Sequence, residues 1–291
     1  MGRWFRAFEG VVPLCRWSAW LVTITALLGL FGAGHATACG VETDCVIADR
    51  HYRLHLPQGA DLSKPLGALF FAHGYRGTAA GTIKNGALKA LADRWGLALV
   101  ALKSSGGDWS IPNAPSHETL PDVDEMVYVD TVIADLGRRI VLDRQKLVMA
   151  GFSAGGMMTW EVACRRPAAF AGFVPVAGTF WDPVPRECAD PQPTILHIHG
   201  ETDRIVPLEG RRIGDARQGR LSAAMALMAG RGFDELSAPI AITAGAGGQT
   251  LRCRSATAAD ALFEVCLHPG GHDFRAGYLD YALSVILGQK G

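Results

Sequence analysis

Hydrophobic and polar positions change period repeatedly along this chain. "CVIADRHYRLHLP" alternates apolar and polar residues, the two-residue period of a half-buried strand or hairpin. "GALFFAHG", "LALVAL", "KLVMAG", "GFVPVAG" and "TILHIHG" are instead short, continuous apolar runs. Such runs predict strands buried on both faces, because a strand between two helical layers has no side left to show water. Between them the period lengthens. "TIKNGALKALADRWG" sets Leu88, Leu91, Ala92 and Trp95 at helical spacing and stops at Gly96. "DVDEMVYVDTVIADLGRRI" predicts an amphipathic helix with acids early and arginines late, which suits the helix dipole. "AGGMMTWEVACRRP" predicts a helix that ends before Pro167; "LSAAMALMAGRG" and "YLDYALSVILGQ" predict two more. A hairpin is expected over 250–267, and residues 103–121 form a long polar loop of the kind that often has a function. Strands alternating with helices predict an α/β fold with a mostly parallel central sheet flanked by helices. No repeat, low-complexity tract or linker divides the run, so residues 39–291 are expected to form a single domain.

Composition narrows the classes. With 291 residues, 49% of them hydrophobic, the chain is long enough for a sizeable core. Its formal net charge is zero, so no basic field points to nucleic acid or an anionic membrane surface. Residues 1–38 read as an export signal: Arg3, Arg6 and Arg16 lead, "AWLVTITALLGLFGAG" is the apolar core, and "ATA" precedes Cys39. That core is shorter than the ~20 residues of a membrane span. An uncleaved anchor, or lipid attachment at Cys39, is the alternative. Removing the segment takes away three Arg and one Glu and leaves a formal charge of −2. The expected location is therefore extracytoplasmic, secreted or periplasmic, with no membrane association after cleavage.

Cysteine usage agrees. Cys39, Cys45, Cys164, Cys188, Cys253 and Cys266 remain after the signal, an even set suited to an oxidising compartment. Pairing of sequence neighbours is expected: Cys39 with Cys45, Cys164 with Cys188, Cys253 with Cys266. The last pair has a geometric reason, since "TLRCRS" and "ALFEVCLH" look like two strands across a short turn. No C-x-x-C pair occurs, so neither a metal site nor a redox dithiol is read, and no cofactor is expected.

The chemistry concentrates at "LVMAGFSAGGMMTW", residues 147–160. Gly151-x-Ser153-x-Gly155 has the form of a nucleophile elbow, and it stands where an apolar strand passes into a helix. Glycine occupies 35 positions, so the bare pattern arises by chance about once in six such chains. Context must decide. A serine hydroxyl needs a base, and the base needs an acid to hold its tautomer. "TILHIHGETDRIVP" offers Asp203 just past a buried strand, with Glu201 as its rival; Asp182 and Asp190 precede that strand and fall at its wrong end. "LFEVCLHPGGHDF" offers His272 in a glycine loop after the last strand, with His268 as the alternative base. His197 and His199 alternate with apolar residues inside a strand and read as packed or hydrogen-bonded core groups, and His51 and His55 read likewise. An oxyanion would need two backbone amides. Ala154 follows the serine, and Tyr75 follows His73-Gly74 at the end of "ALFFAHG". Trp109 in the long loop and Trp181 in "GTFWDP" are expected to line the pocket.

"GFSAGGMMT", "LHIHGETDRIVP", "HGY" after a buried strand and "PGGHDF" together resemble the secreted polyhydroxybutyrate depolymerase-like esterases, which include feruloyl and acetyl-xylan esterases. The resemblance runs from about Cys39 to the C-terminus. It implies an α/β-hydrolase fold with Ser153 as nucleophile, His272 as base and Asp203 as orienter, acting on small or oligomeric esters. Asp273-Phe274 stands where many relatives carry Thr-Trp-Pro, which bears on chain-length or acyl preference. No polymer-binding module follows the catalytic region, which weighs against attack on solid polymer. Two other classes share parts of the pattern: a peptidase of the prolyl-oligopeptidase type, and a non-catalytic binding protein on the same fold.

Overall fold

The central strands bury both of their faces, and the side chains divide accordingly. Along Leu66–Ala72, Ala68, Phe70 and Ala72 pack into one hydrophobic layer while Leu69 and Phe71 pack into another. Leu97–Leu102 divides the same way, with Ala98, Val100 and Leu102 on one side and Leu97, Leu99 and Ala101 on the other. This is the two-residue period of a strand with apolar cover above and below. The computed structural model describes residues 39–244 and 248–288, so the expected leader over 1–38 lies outside the described residues. Among the described residues no helix is long and apolar enough to cross a membrane.

In chain order the strands are β1 (Cys45–Ile47), β2 (Arg50–His55), β3 (Leu66–Ala72), β4 (Leu97–Leu102), β5 (Leu142–Phe152), β6 (Gly172–Val176), β7 (Ile195–Gly200), β8 (Arg212–Ile213), β9 (Ala216–Arg217), β10 (Ile240–Ala244), β11 (Gln249–Ala258) and β12 (Ala261–His268). The helices are α1 (Ala79–Ile83), α2 (Gly86–Trp95), α3 (Pro115–Thr119), α4 (Glu125–Arg139), α5 (Ala154–Arg165), α6 (Leu221–Ala229) and α7 (Ala276–Gly288). Ten strands form one sheet in the order β1-β2-β4-β3-β5-β6-β7-β12-β11-β10. The six from β4 to β12 run parallel, and two antiparallel strands close each edge. Helices α4, α5 and α6 cover one face, and α1, α2 and α7 cover the other. The order reverses at β3, which has β4 on one side and β5 on the other. Loops leaving the C-terminal ends of β3 and β5 therefore part in opposite directions, and a crevice opens between them.

The local signals hold at the predicted places. Asp124 caps α4 by accepting the amides of Met126 and Val127 at 2.8 and 3.0 Å. Gly96 ends α2 in the left-handed conformation, φ 59°. The three disulfides pair as expected, and Cys253 stands directly opposite Cys266 in the β11–β12 ladder. The small β8–β9 hairpin and the edge strand β10 have no counterpart among the expected elements. β10 is largely exposed, with only Ala244 buried, and its place depends on pairing with β11 rather than on apolar burial.

Gly137 sits exposed inside α4, and a Cβ added there meets nothing within 4 Å. Glycine costs a helix interior about 0.5–1 kcal/mol relative to alanine through backbone entropy. Gly137→Ala is expected to raise unfolding stability by that amount in urea titration, with the folded far-UV circular dichroism spectrum unchanged.

Candidate active site

Ser153 occupies the turn between β5 and α5 at φ 58° and ψ −121°, a conformation few side-chain-bearing residues adopt. Its backbone is held from both sides. The Ser153 amide donates to Val176 O at 2.9 Å, and its carbonyl accepts the Met157 amide at 3.0 Å. The flanking glycines are required by space. A Cβ on Gly151 would lie 2.1 Å from Gly155 O, and one on Gly155 would lie 1.9 Å from Ala72 O. Strand, turn and helix thus meet backbone to backbone, and the serine side chain is pushed out of the turn.

His272 and Asp203 come together across the loops that follow β12 and β7. Those strands are parallel neighbours, so both loops leave the same edge of the sheet as Ser153. His272 Nδ1 donates to Asp203 Oδ2 at 2.7 Å. The other carboxylate oxygen, Oδ1, accepts the amides of Ile205 and Val206 at 2.8 and 2.9 Å. Burial alone would raise this carboxyl, but hydrogen bonds from His199, His272 and the Val206 amide outweigh it and hold Asp203 well below the usual carboxylate range. The His272 ring lies against Phe152, centroids 4.7 Å apart, which sets the imidazole beside the residue preceding Ser153.

The rivals are engaged elsewhere. Glu201 pairs with Arg252, and Asp182 lies 3.3 Å from Arg217. His268 is fully buried and stacks on Tyr278; its Nδ1 accepts the Gly270 amide and its Nε2 faces Asp273. His197 and His199 are core groups, as their alternation with apolar residues suggested, and they are hydrogen-bonded to each other at 3.0 Å.

The Ala154 amide is at the first position of α5, where no carbonyl of the same helix can reach it. Tyr75 follows Gly74 in the loop after β3. Neither amide donates in any turn or loop hydrogen bond among the described residues. A Cβ on Gly74 would lie 3.4 Å from that of Ser153, so this loop passes directly in front of the elbow. The loop is braced from behind: Arg76 N donates to Gly107 O, Ser104 N to His73 Nε2, and Trp109 Nε1 to His73 O at 2.8 Å. This corrects the reading of Trp109 as a pocket wall. It is 1% exposed, packs on the His73 ring, and acts as a strut under the β3 loop. Trp181 is likewise in the core at 6% exposure, its backbone bridged to Gln218.

A cavity of about 240 Å³ adjoins the elbow instead, lined by Phe71, Gly74, Leu88, Phe152 and Phe274 with Thr78, Thr82 and Asn85 at its polar side. Phe152 and Phe274 were within reach of sequence reasoning, as the variable position of the elbow and the residue two after His272. Phe71 was hidden inside a buried run. A larger depression, about 720 Å³, lies over the Cys164–Cys188 bridge and shares no residue with the Ser153 constellation.

A serine on a strained strand-to-helix turn, with a histidine–carboxylate pair on the loops of later parallel strands, is an arrangement of the α/β-hydrolases. The phospholipase/carboxylesterase family pattern matches residues 114–225. NocK of Nocardia uniformis subsp. tsuyamanensis, assigned as an esterase, is 28% identical over 277 residues, covering 86% of this chain and 78% of that protein. The chain has the α/β-hydrolase fold and is a carboxylic ester hydrolase. Feruloyl esterase C of Emericella nidulans is 27% identical over 178 residues, 56% of this chain and 58% of that protein. An acetyl xylan esterase from Aspergillus awamori shares the fold with TM-score 0.58 at 15% identity, over 81% of this chain and 94% of that one.

His73 ties the braced loop to acidity. Its Nε2 accepts an amide, so Nδ1 bears the proton and donates to Gly74 O at 2.8 Å. Burial pushes its pKa down to about 4, whereas an unfolded histidine titrates near 6.5. Between those values the unfolded chain binds a proton that the folded loop refuses. The stability at stake is complete above pH 6.5 and falls as pH drops toward 4. In urea unfolding at pH 7 and pH 4.5, His73→Asn should lose about 2 kcal/mol less on acidification than the parent. Equal losses would show that His73 is not the group responsible.

Proposed function

We propose that the chain is an exported serine esterase in which Ser153, His272 and Asp203 form the catalytic triad. The observation that supports it most is the pairing of a 2.7 Å His272–Asp203 hydrogen bond with a serine strained to φ 58° on the neighbouring turn. Ser153 Oγ attacks the ester carbonyl while His272 Nε2 accepts the hydroxyl proton. Asp203 holds Nδ1–H and stabilises the imidazolium that forms. The amides of Ala154 and Tyr75 bind the oxyanion, aided by the N-terminal dipole of α5. His272 returns its proton to the leaving alcohol, and water, deprotonated by the same imidazole, releases the acid and restores Ser153.

Three disulfides and the expected leader support export. For substrate we propose carboxylic esters of the polysaccharide-linked feruloyl or acetyl kind, or hydroxyalkanoate oligomers. Named relatives act in the first group, and the cavity beside Gly74 has aromatic walls at Phe152 and Phe274. No observation favours the peptidase reading over this one.

Ser153→Ala is expected to lower kcat/KM on short p-nitrophenyl esters by at least about 10³-fold, with the fold retained, and to abolish labelling by a fluorophosphonate probe. Parental turnover in that variant would refute the assignment. Comparing feruloyl esters, acetylated xylan and hydroxybutyrate oligomers on the parent ranks the substrates, and faster cleavage of a dipeptide amide would replace the esterase reading.

A further inference from the structure

β7 presents Ile195, His197 and His199 to one layer of the core, and Leu196 and Ile198 to the other. Two imidazoles, both fully buried, therefore stand where an aliphatic pair would be the simpler filling. They are joined at both ends. Trp160 Nε1, on α5, donates to His197 Nδ1 at 3.3 Å, and His197 Nε2 meets His199 Nδ1 at 3.0 Å. His199 Nε2 lies 2.8 Å from Val206 O and 3.3 Å from Asp203 Oδ2.

These contacts admit one distribution of protons. An indole N–H only donates, so His197 Nδ1 is an acceptor and its proton is on Nε2. That N–H donates to His199 Nδ1, which places the proton of His199 on Nε2 as well. The last N–H is then directed at Val206 O and, more loosely, at Asp203 Oδ2. Every link is a neutral donor meeting a neutral acceptor until the carboxylate. Burial and the neighbouring His199 push His197 well below the ordinary histidine range, which agrees with a neutral ring. The Val206 peptide closes the frame, since its carbonyl accepts from His199 while its amide donates to Asp203 Oδ1.

We infer that Trp160, His197 and His199 are positioning residues for Asp203: a one-way chain of hydrogen bonds runs from α5, the helix that Ser153 precedes, to Val206 O, and its last N–H lies 3.3 Å from the carboxylate oxygen that holds His272. The chain links the helix of the nucleophile to the loop of the acid through groups of fixed length. It also places a second N–H 3.3 Å from Oδ2, the oxygen that accepts from His272 Nδ1, and so favours the carboxylate orientation that holds the imidazole. This inference rests on the triad reading proposed above.

The test separates donor position from bulk. Gln at position 199 can place an N–H near the original Nε2, whereas Asn reaches only the Nδ1 level and leaves Asp203 Oδ2 without this donor. On p-nitrophenyl acetate, His199→Asn is expected to lower kcat about 10-fold or more with KM within about twofold, and His199→Gln to recover most of that loss. A purely structural role would make the two variants alike in kcat. Equal kcat values, or values within twofold of the parent for both, overturn the inference. Histidine ¹⁵N NMR of the parent enzyme provides the second readout and needs no variant: both His197 and His199 should be neutral with the proton on Nε2. A proton on Nδ1 of either ring overturns the chain even if His199→Asn fails to fold. Ser153→Ala, assayed in parallel, distinguishes the two levels. If it retains turnover the triad reading has failed. If it is inactive while the histidine variants match the parent, only the chain is lost.

Discussion

Of the described glycines Gly155 has the least room for a side chain: α5 starts so near the end of β3 that a methyl group there would overlap Ala72 O. Much of the site follows from that crowding. Because β5, the turn and α5 meet without intervening side chains, Ser153 is forced to φ 58° and its side chain has only one way out. Because the helix begins immediately after the turn, its first amide is left unpaired beside the serine. Because β3 is the strand that is approached, the loop following it lies across the front of the elbow and brings Tyr75 with it. Strain of this kind, of order 1–3 kcal/mol, persists only where the surroundings over-determine the backbone. Here the Val176 and Met157 hydrogen bonds do so.

A second theme is how the fold treats buried polar groups. His73, His197, His199 and Asp203 are all buried, yet each is partnered on the atoms that matter. For the histidines the partners also choose a tautomer, since an amide or indole N–H can only donate. His73 is thereby committed to holding the β3 loop, with Trp109 as its strut. His199 is committed to Val206 O and lies beside Asp203 Oδ2, the oxygen that also accepts from His272. The carboxylate ends with donors on both oxygens, which offsets the cost of burying its charge.

Part of the site was legible beforehand because its signals are local. A glycine-flanked serine between an apolar run and a helical period needs no distant partner to be noticed, and the order of Asp203 and His272 follows from each standing just past a buried strand. The same locality misled at Trp109. An aromatic residue in a long polar loop reads as exposed, but the loop folds back beneath β3 and the indole finds His73 O, 36 residues earlier. β10 was missed for the opposite reason: an edge strand takes its conformation from the neighbour it pairs with, and three of its five positions are exposed.

Sequence by itself determined the layered α/β arrangement, the position of the elbow, the caps of α2 and α4, and the pairing of Cys253 with Cys266 across a hairpin. Each depends on periodicity or on contacts between residues close in the chain. Only the tertiary structure decided which histidine meets Asp203, which loop lies before Ser153, and what the two histidines of β7 touch. Those contacts join residues on different strands. Their geometry is set by sheet order and by the reversal at β3, which no local period encodes.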